Sequence, residues 1–198
     1  HLSGANCPKC SIKFNLTEIE LTNFINSLNI KTINNKKNLL HDREIDIYLP
    51  DLKIAIEYNG LYWHSDLFKH DNYHKLKTDD CLKLGIKLIH IFEDEWLSKN
   101  NIVKSRLKNL FNLSENKIFA RKTQIRKVSN IDAKNFLIEN HLQGKINSLI
   151  NIGLYHDDIL VSLMCFGNLR KNLGNNTKEN SYELLRFCNK LNHNIVGG

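Results

Sequence analysis

One stretch of the chain, residues 43–58, predicts the core of the fold: REIDIYLPDLKIAIEY. Apolar and polar side chains alternate over residues 45–49, and residues 54–58 repeat the pattern. A period of two is typical of half-buried β-strands. Pro50 and Asp51, which separate the two runs, are typical turn residues. We therefore expect a tight β-hairpin at this place.

The predicted hairpin carries acidic side chains on one face. If Leu49 pairs with Leu52, Asp46 and Glu57 become diagonal neighbours roughly 6–8 Å apart. Carboxylates at that separation repel each other, and a divalent cation such as Mg²⁺, which prefers carboxylate oxygen, would remove the repulsion. The sequence therefore predicts that Asp46 and Glu57 bind Mg²⁺, for which Mn²⁺ could substitute. Glu44 is either a third acid of this site or a charge at the strand edge.

Histidine and lysine side chains follow the hairpin at suitable spacings. His64 comes shortly after Glu57, and His74 and Lys77 share one face of a helix predicted over residues 70–84. A histidine can activate water or protonate a leaving oxygen, and a lysine can neutralise phosphate charge. Beside a bound metal, these groups suit phosphodiester cleavage. The alternative is that each is an ordinary solvated side chain.

Composition limits the classes of protein to consider. The 198 residues are 41% hydrophobic and 25% charged, which is typical of a soluble globular protein. The net charge of +7 is compatible with a polyanionic partner. No apolar run approaches the ~20 residues that span a bilayer, so we expect no membrane association. Five cysteines at irregular spacings favour a reducing compartment.

The N-terminal region contributes two further candidates. Cys7 and Cys10 form a CPKC motif that resembles half of a zinc ribbon or treble-clef knuckle. A closed zinc site needs four ligands, so these thiols are either half of a Zn²⁺ site completed in a longer protein or unliganded. Residues 17–28 predict an amphipathic helix capped by Thr17. Glu18, near its start, is either a surface acid or part of the site.

The predicted elements are, in order, a helix, a strand, the hairpin, a helix over residues 70–84, a buried apolar strand over residues 86–92 and a helix over residues 94–112, which is an α/β arrangement. With Glu18, Asp46 and Glu57 placed on it, this order resembles the restriction-endonuclease-like αβββαβ core of the PD-(D/E)XK nuclease superfamily. The stretches NGLYWH, YHKLKT and IFEDEW look more closely like very-short-patch-repair (Vsr)-type endonucleases, and especially like phage homing endonucleases of that type. The resemblance covers residues 12–113.

The resemblance implies a metal-dependent endonuclease that hydrolyses phosphodiester bonds in double-stranded DNA. It implies that Asp46 and Glu57 bind the metal, that His64 is the active-site histidine and that Glu18 supports the site from the first helix. If the protein is encoded by a phage, we expect it in the cytoplasm of the host cell. Two alternatives are a DNA-binding module without catalysis and a fragment whose main activity belongs to a C-terminal acyltransferase-like domain.

The chain departs from the superfamily pattern at Asn59, where a lysine would be expected. Vsr-type enzymes also lack that lysine and use histidine. The general base therefore stays open between His64, His74 and Lys77. Lys53, predicted on the same face of the sheet as Glu57, is a further candidate.

In the C-terminal part, the sequence predicts an amphipathic helix over residues 131–141 and two strands joined by a turn at residues 156–158. This part also has a resemblance of its own. NIDAKNFLIENH, GLYHDDILVSLMCFG and YELLRFCNKLNHNIVGG look like the first half of an N-acetyltransferase (GNAT) fold, in which a glycine-rich turn binds the acetyl-CoA pyrophosphate. Gly197 and Gly198 would begin that turn. We expect a zinc-knuckle remnant over residues 1–12, an endonuclease domain over 13–117 and a truncated second α/β domain over 118–198. Because the chain begins at His1, we treat it as a fragment.

Overall fold

The structure, a computed structural model, describes residues 8–40, 43–60, 73–169 and 181–197. The chain divides into two compact units, His1–Ser98 and Lys99–Gly198. This division precedes the predicted boundary at residues 117–118. Within the described part, no helix is both long enough and apolar enough to span a membrane.

Over its described residues, the first unit is a four-stranded sheet with three helices. Its elements are α1 (Pro8–Ser27), β1 (Ile33–Leu40), β2 (Arg43–Leu49), β3 (Ile54–Asn59), α2 (Tyr73–Lys83), β4 (Lys87–Phe92) and α3 (Glu93–Ser98). The strands lie in the order β1-β2-β3-β4; the first three are antiparallel, and β4 is parallel to β3. A parallel pair needs a crossover connection, which contains α2. The predicted order of one helix, three strands, a helix and a strand is thus confirmed.

Strand β3 is the centre of this unit. All its residues are buried, as expected for a strand with neighbours on both edges and cover on both faces. From β2, Ile45, Ile47 and Leu49 are fully buried, so the alternation predicted from the sequence is confirmed. The sheet thereby fixes the backbone positions of Asp46 and Glu57.

The turn between β2 and β3 is longer than predicted. Pro50–Leu52 form a 3₁₀ turn, and Lys53 closes it in the left-handed conformation with φ 52°. Leu49 therefore pairs with Ile54, and the predicted pairing of Leu49 with Leu52 is wrong. The longer turn arises because Lys53 donates its backbone N–H to the carbonyl of Pro50, which takes Lys53 out of the strand.

The register of the hairpin is shifted by two residues as a result. Because side chains alternate with a period of two, such a shift keeps each side chain on its predicted face. Ile47 pairs with Ile56, and one step beyond this pair lie Asp46 and Glu57. The two acids are therefore closer neighbours than the predicted diagonal arrangement would have made them.

The helices of the first unit differ from prediction at their ends. Helix α1 begins at Pro8, a residue suited to the first turn because it has no N–H to leave unpaired, and not near Thr17, which is buried within the helix. Cys10 lies on this helix, while Cys7 is outside the described residues. The single helix predicted over residues 94–112 is two helices, α3 and α4, interrupted at Lys99.

The second unit contains a four-stranded antiparallel sheet and a separate parallel strand pair. Its elements are α4 (Asn100–Leu110), β5 (Asn116–Phe119), β6 (Gln124–Lys127), α5 (Asn130–Asn140), β7 (Ile150–His156), β8 (Ile159–Asn168), β9 (Tyr182–Asn189) and β10 (His193–Val196). The sheet order is β6-β7-β8-β9, and β5 pairs with β10. The predicted helix over residues 131–141 and the predicted hairpin with a turn at residues 156–158 are both confirmed.

The core of the second unit lies between α5 and the sheet. Phe136 and Leu137 of α5 pack in one buried cluster with Leu163 and Cys165 of β8. Gly197, which was expected to begin a glycine-rich turn, has φ 72°, and Gly198 lies outside the described residues. A left-handed glycine is compatible with many kinds of turn.

Candidate active site

Asp46 is held against strand β3 by a backbone contact. Its Oδ2 accepts a hydrogen bond of 2.8 Å from the N–H of Tyr58. Burial, and next the negative charge of Glu57, raise the pKa of Asp46 to about 6, although the Tyr58 N–H and the Lys77 charge act in the opposite direction. Glu57 is therefore close enough to Asp46 for its charge to affect the ionisation of Asp46.

Glu57 forms a buried ion pair with the lysine of the following helix. The Nζ of Lys77 lies 2.7 Å from Glu57 Oε2, and the side chains are 3% (Lys77) and 11% (Glu57) exposed. The same Nζ donates a hydrogen bond of 2.5 Å to the backbone carbonyl of Glu44. Helix α2 thus brings Lys77 to the acid pair, as the helical spacing from His74 to Lys77 suggested.

The other oxygen of Glu57 has a different environment. Glu57 Oε1 is buried, and within the described part of the chain no side chain or backbone group forms a hydrogen bond with it. A buried carboxylate oxygen without a partner is energetically costly. A cation bound between Glu57 and Asp46 would supply the missing partner.

Glu18 adds a third acid from helix α1. Burial raises its pKa to about 7, with the charges of Asp46 and then Glu44 as the next causes. The structure therefore brings Glu18 to the acid pair, although this residue lies far from the hairpin in sequence. Neighbouring carboxyl groups with raised pKa values are characteristic of functional sites.

The donor set suits magnesium better than zinc. No group of three or more His, Cys, Asp and Glu side chains could hold a metal ion among the residues that the structure describes. Mg²⁺ is commonly bound through one or two carboxylates, with water and substrate phosphate as the remaining ligands. Asp46 and the unpartnered oxygen of Glu57 fit that pattern. A structural zinc site, by contrast, needs four protein ligands.

His90 is a candidate site residue that the sequence reasoning missed. It lies on β4 directly beside Glu57 in the parallel pairing of β3 with β4. Its Nδ1 is 3.1 Å from the amide nitrogen of Asn59, the position at which the resemblance led us to expect a lysine. The sequence predicts a buried apolar strand from Ile86 to Phe92. The sequence feature that could have indicated His90 is a histidine within this otherwise apolar run. The strand that contains it lies next to β3, which carries the candidate ligand Glu57.

Other predicted residues have different outcomes. Lys53 is exposed and lies in the turn before β3, so the prediction that it shares the sheet face of Glu57 is wrong, while its role as a general base stays a prediction. His64 lies outside the described residues. His74 is near the start of α2, and its side chain is likewise outside the description. Glu44 is exposed and contributes its backbone carbonyl, together with a nearby charge.

Comparisons with known proteins give one similarity. No protein-family model matches the chain, and no curated protein matches it. Among solved structures, the chain is similar to the catalytic domain of the homing endonuclease I-Bth0305I, with 25% sequence identity, a TM-score of 0.41, and coverage of 48% of this chain and 93% of the other. A TM-score this low does not establish a shared fold.

Proposed function

We propose that the first unit is a Mg²⁺-dependent endonuclease that hydrolyses phosphodiester bonds in duplex DNA, of the Vsr-like, site-specific homing type. One observation carries the proposal: the negative charges of Asp46 and Glu57 lie close together, Glu18 lies near Asp46, and Lys77 pairs with Glu57 in a buried ion pair. A group of acids with an uncompensated negative charge and an unpartnered carboxylate oxygen suits a divalent cation.

Asp46 and Glu57 would hold the ion. Bound there, Mg²⁺ supplies Lewis-acid stabilisation of the charge on the phosphoryl group. The hydrogen bond from the Tyr58 N–H orients the Asp46 carboxylate, and the ion pair with Lys77 orients that of Glu57. Both ligands are therefore positioned by the protein before a metal or substrate arrives.

Lys77 is assigned to charge neutralisation and not to proton abstraction. Its ammonium group contacts both Glu57 and the Glu44 carbonyl, so at least two of its three protons are already engaged in hydrogen bonds. An ammonium held in this way can stabilise the charge that develops on a phosphate in the transition state. The proton transfers then fall to histidine, to His64 by the resemblance and to His90 by its position beside Glu57.

The test is cleavage by an isosteric Asp46→Asn variant. Supercoiled plasmid DNA containing a random-sequence library is incubated with Mg²⁺ or Mn²⁺, and nicked and linear products are quantified and their ends sequenced. We expect the variant to lose activity by at least about 100-fold while it still binds DNA. Asp51→Asn, the same change at an exposed turn residue, is the matched control and should cleave normally.

Cleavage by Asp46→Asn at the wild-type rate would refute the assignment of the site. DNA binding by the wild-type chain, with no cleavage in either metal, would favour the DNA-binding module without catalysis.

A further inference from the structure

A second feature lies in the other unit and has no part in the proposed catalysis. Residues 116–127, NKIFARKTQIRK, contain five basic side chains and no acidic one, in a chain whose whole net charge is +7. This segment, called here the basic strip, comprises β5, the 3₁₀ turn Ala120–Lys122 and the sheet-edge strand β6. A large share of the excess positive charge is therefore concentrated in twelve residues.

The positive charge of the basic strip is exposed and largely uncompensated. All five basic side chains are exposed. Arg126 pairs with Asp158 at 2.8 Å, whereas within the described ranges Lys117, Arg121, Lys122 and Lys127 form no ion pair with a carboxylate. Surface cations are usually interspersed with acids, so such a strip creates a local positive field.

Two of these cations lie close to one aromatic ring. The Lys117 Nζ is 5.9 Å from the centroid of the Phe119 ring, and the Arg121 guanidinium carbon is 5.2 Å from the same centroid. Phe119 itself is 40% exposed. The cation–π contacts place two positive charges within about 6 Å of one ring centroid. A phosphate group close to that ring would be attracted by both charges.

We propose that the basic strip is a surface that binds the phosphate backbone of duplex DNA. Lysine and arginine side chains that point into solvent along an extended segment suit a partner with regularly spaced negative charges, and such contacts position a protein without reading sequence. The strip binds through phosphate charge, so it adds affinity for any duplex. This inference does not rest on the proposed metal site. Binding to DNA can also be measured without cleavage.

The experiment measures binding of the full chain to a labelled 30-base-pair duplex of mixed sequence, in EDTA and over a range of salt concentrations. Lys117→Gln/Arg121→Gln removes the two cations beside Phe119. Arg106→Gln/Lys145→Gln removes one exposed arginine and one exposed lysine elsewhere in the same unit and is the matched control. We expect the strip variant to bind about tenfold more weakly at 0.1 M salt, with a salt slope lower by about 1.8, whereas the control changes little.

A charge-conserving variant separates loss of charge from loss of fold. Lys117→Arg/Arg121→Lys should bind within about twofold of the wild type, and far-UV circular dichroism checks that all variants are folded. The proposal is overturned if the strip variant and the control weaken binding equally, if the wild-type chain does not bind the duplex, or if polyglutamate competes as well as unlabelled duplex at equal charge. Binding through the strip in a chain that never cleaves DNA would contradict the proposed function and leave this inference standing.

Discussion

Replacement of Lys77 by methionine tests the electrostatic design of the candidate site. The Lys77–Glu57 pair is almost completely buried, with 3% and 11% of the two side chains exposed. Removal of one partner of a buried ion pair leaves the other charge uncompensated, which costs about 3–5 kcal/mol of folding free energy. Here the cost should lie at the high end, because the Glu57 carboxylate would then face Asp46 with no cation beside it.

A double-mutant cycle isolates that effect. In Lys77→Met/Glu57→Gln the buried negative charge is removed as well, so we expect the double variant to recover about 2 kcal/mol relative to Lys77→Met. Lys83→Met is the matched control on the same helix, because Lys83 also contacts a carboxylate, that of Asp80, but is largely exposed. Its removal should leave the unfolding midpoint unchanged within error.

Urea unfolding followed by tryptophan fluorescence provides the assay. Both tryptophans, Trp63 and Trp96, belong to the first unit, so their emission reports on that unit in the full chain. With a denaturant dependence of about 2 kcal/mol/M, the expected loss lowers the midpoint of Lys77→Met by about 1.5–2.5 M. Strictly additive effects of the two substitutions, or a midpoint equal to that of Lys83→Met, would refute the reasoning.

Two further predictions concern the acids and the additional histidine. Since the folded state raises the pKa of Glu18 from 4.5 to about 7 and that of Asp46 from 3.8 to about 6, it binds these protons more tightly than the unfolded state, and the stability of the metal-free first unit should fall as pH rises from about 4 to about 7. Glu18→Gln should flatten this dependence in urea titrations at pH 5 and pH 7.5, and an unchanged slope would contradict the prediction. His90→Gln should lower the rate of plasmid cleavage at least about tenfold, while His156→Gln in the second unit should not. A His90→Gln rate within twofold of the wild type would remove His90 from the site.

The sequence was informative where the spacing of residues within a single strand or helix determines which side chains share a face. The alternation around Ile45 and Ile47 predicts β2 and its buried face because a strand offers only two faces to choose from. The helical spacing that ends at Lys77 likewise predicts which residues of α2 share a surface. Such patterns depend on local geometry, which the chain carries in its own order of residues.

The remaining features depend on pairing between distant segments. The register of the hairpin follows from a turn in which Lys53 adopts the left-handed conformation, and nothing in the alternation requires a lysine to do so. His90 enters the site only because β4 is placed beside β3 with that particular register. Residues brought together in this way have no sequence spacing to reveal them, which is why Lys53 was a further candidate and His90 was overlooked.

The charges of the site explain why proton binding and metal binding should compete there. Glu18, Asp46 and Glu57 carry more negative charge than Lys77 can offset, and burial makes the excess costly. Without a metal, protons reduce that excess, which is the physical meaning of the raised pKa values of Glu18 and Asp46. A divalent cation would do the same by binding to ionised carboxylates and releasing those protons. Affinity for Mg²⁺ should therefore increase as pH rises through 6 and 7, the range in which the metal-free unit becomes less stable, so that a bound ion would stabilise the fold where protons no longer do.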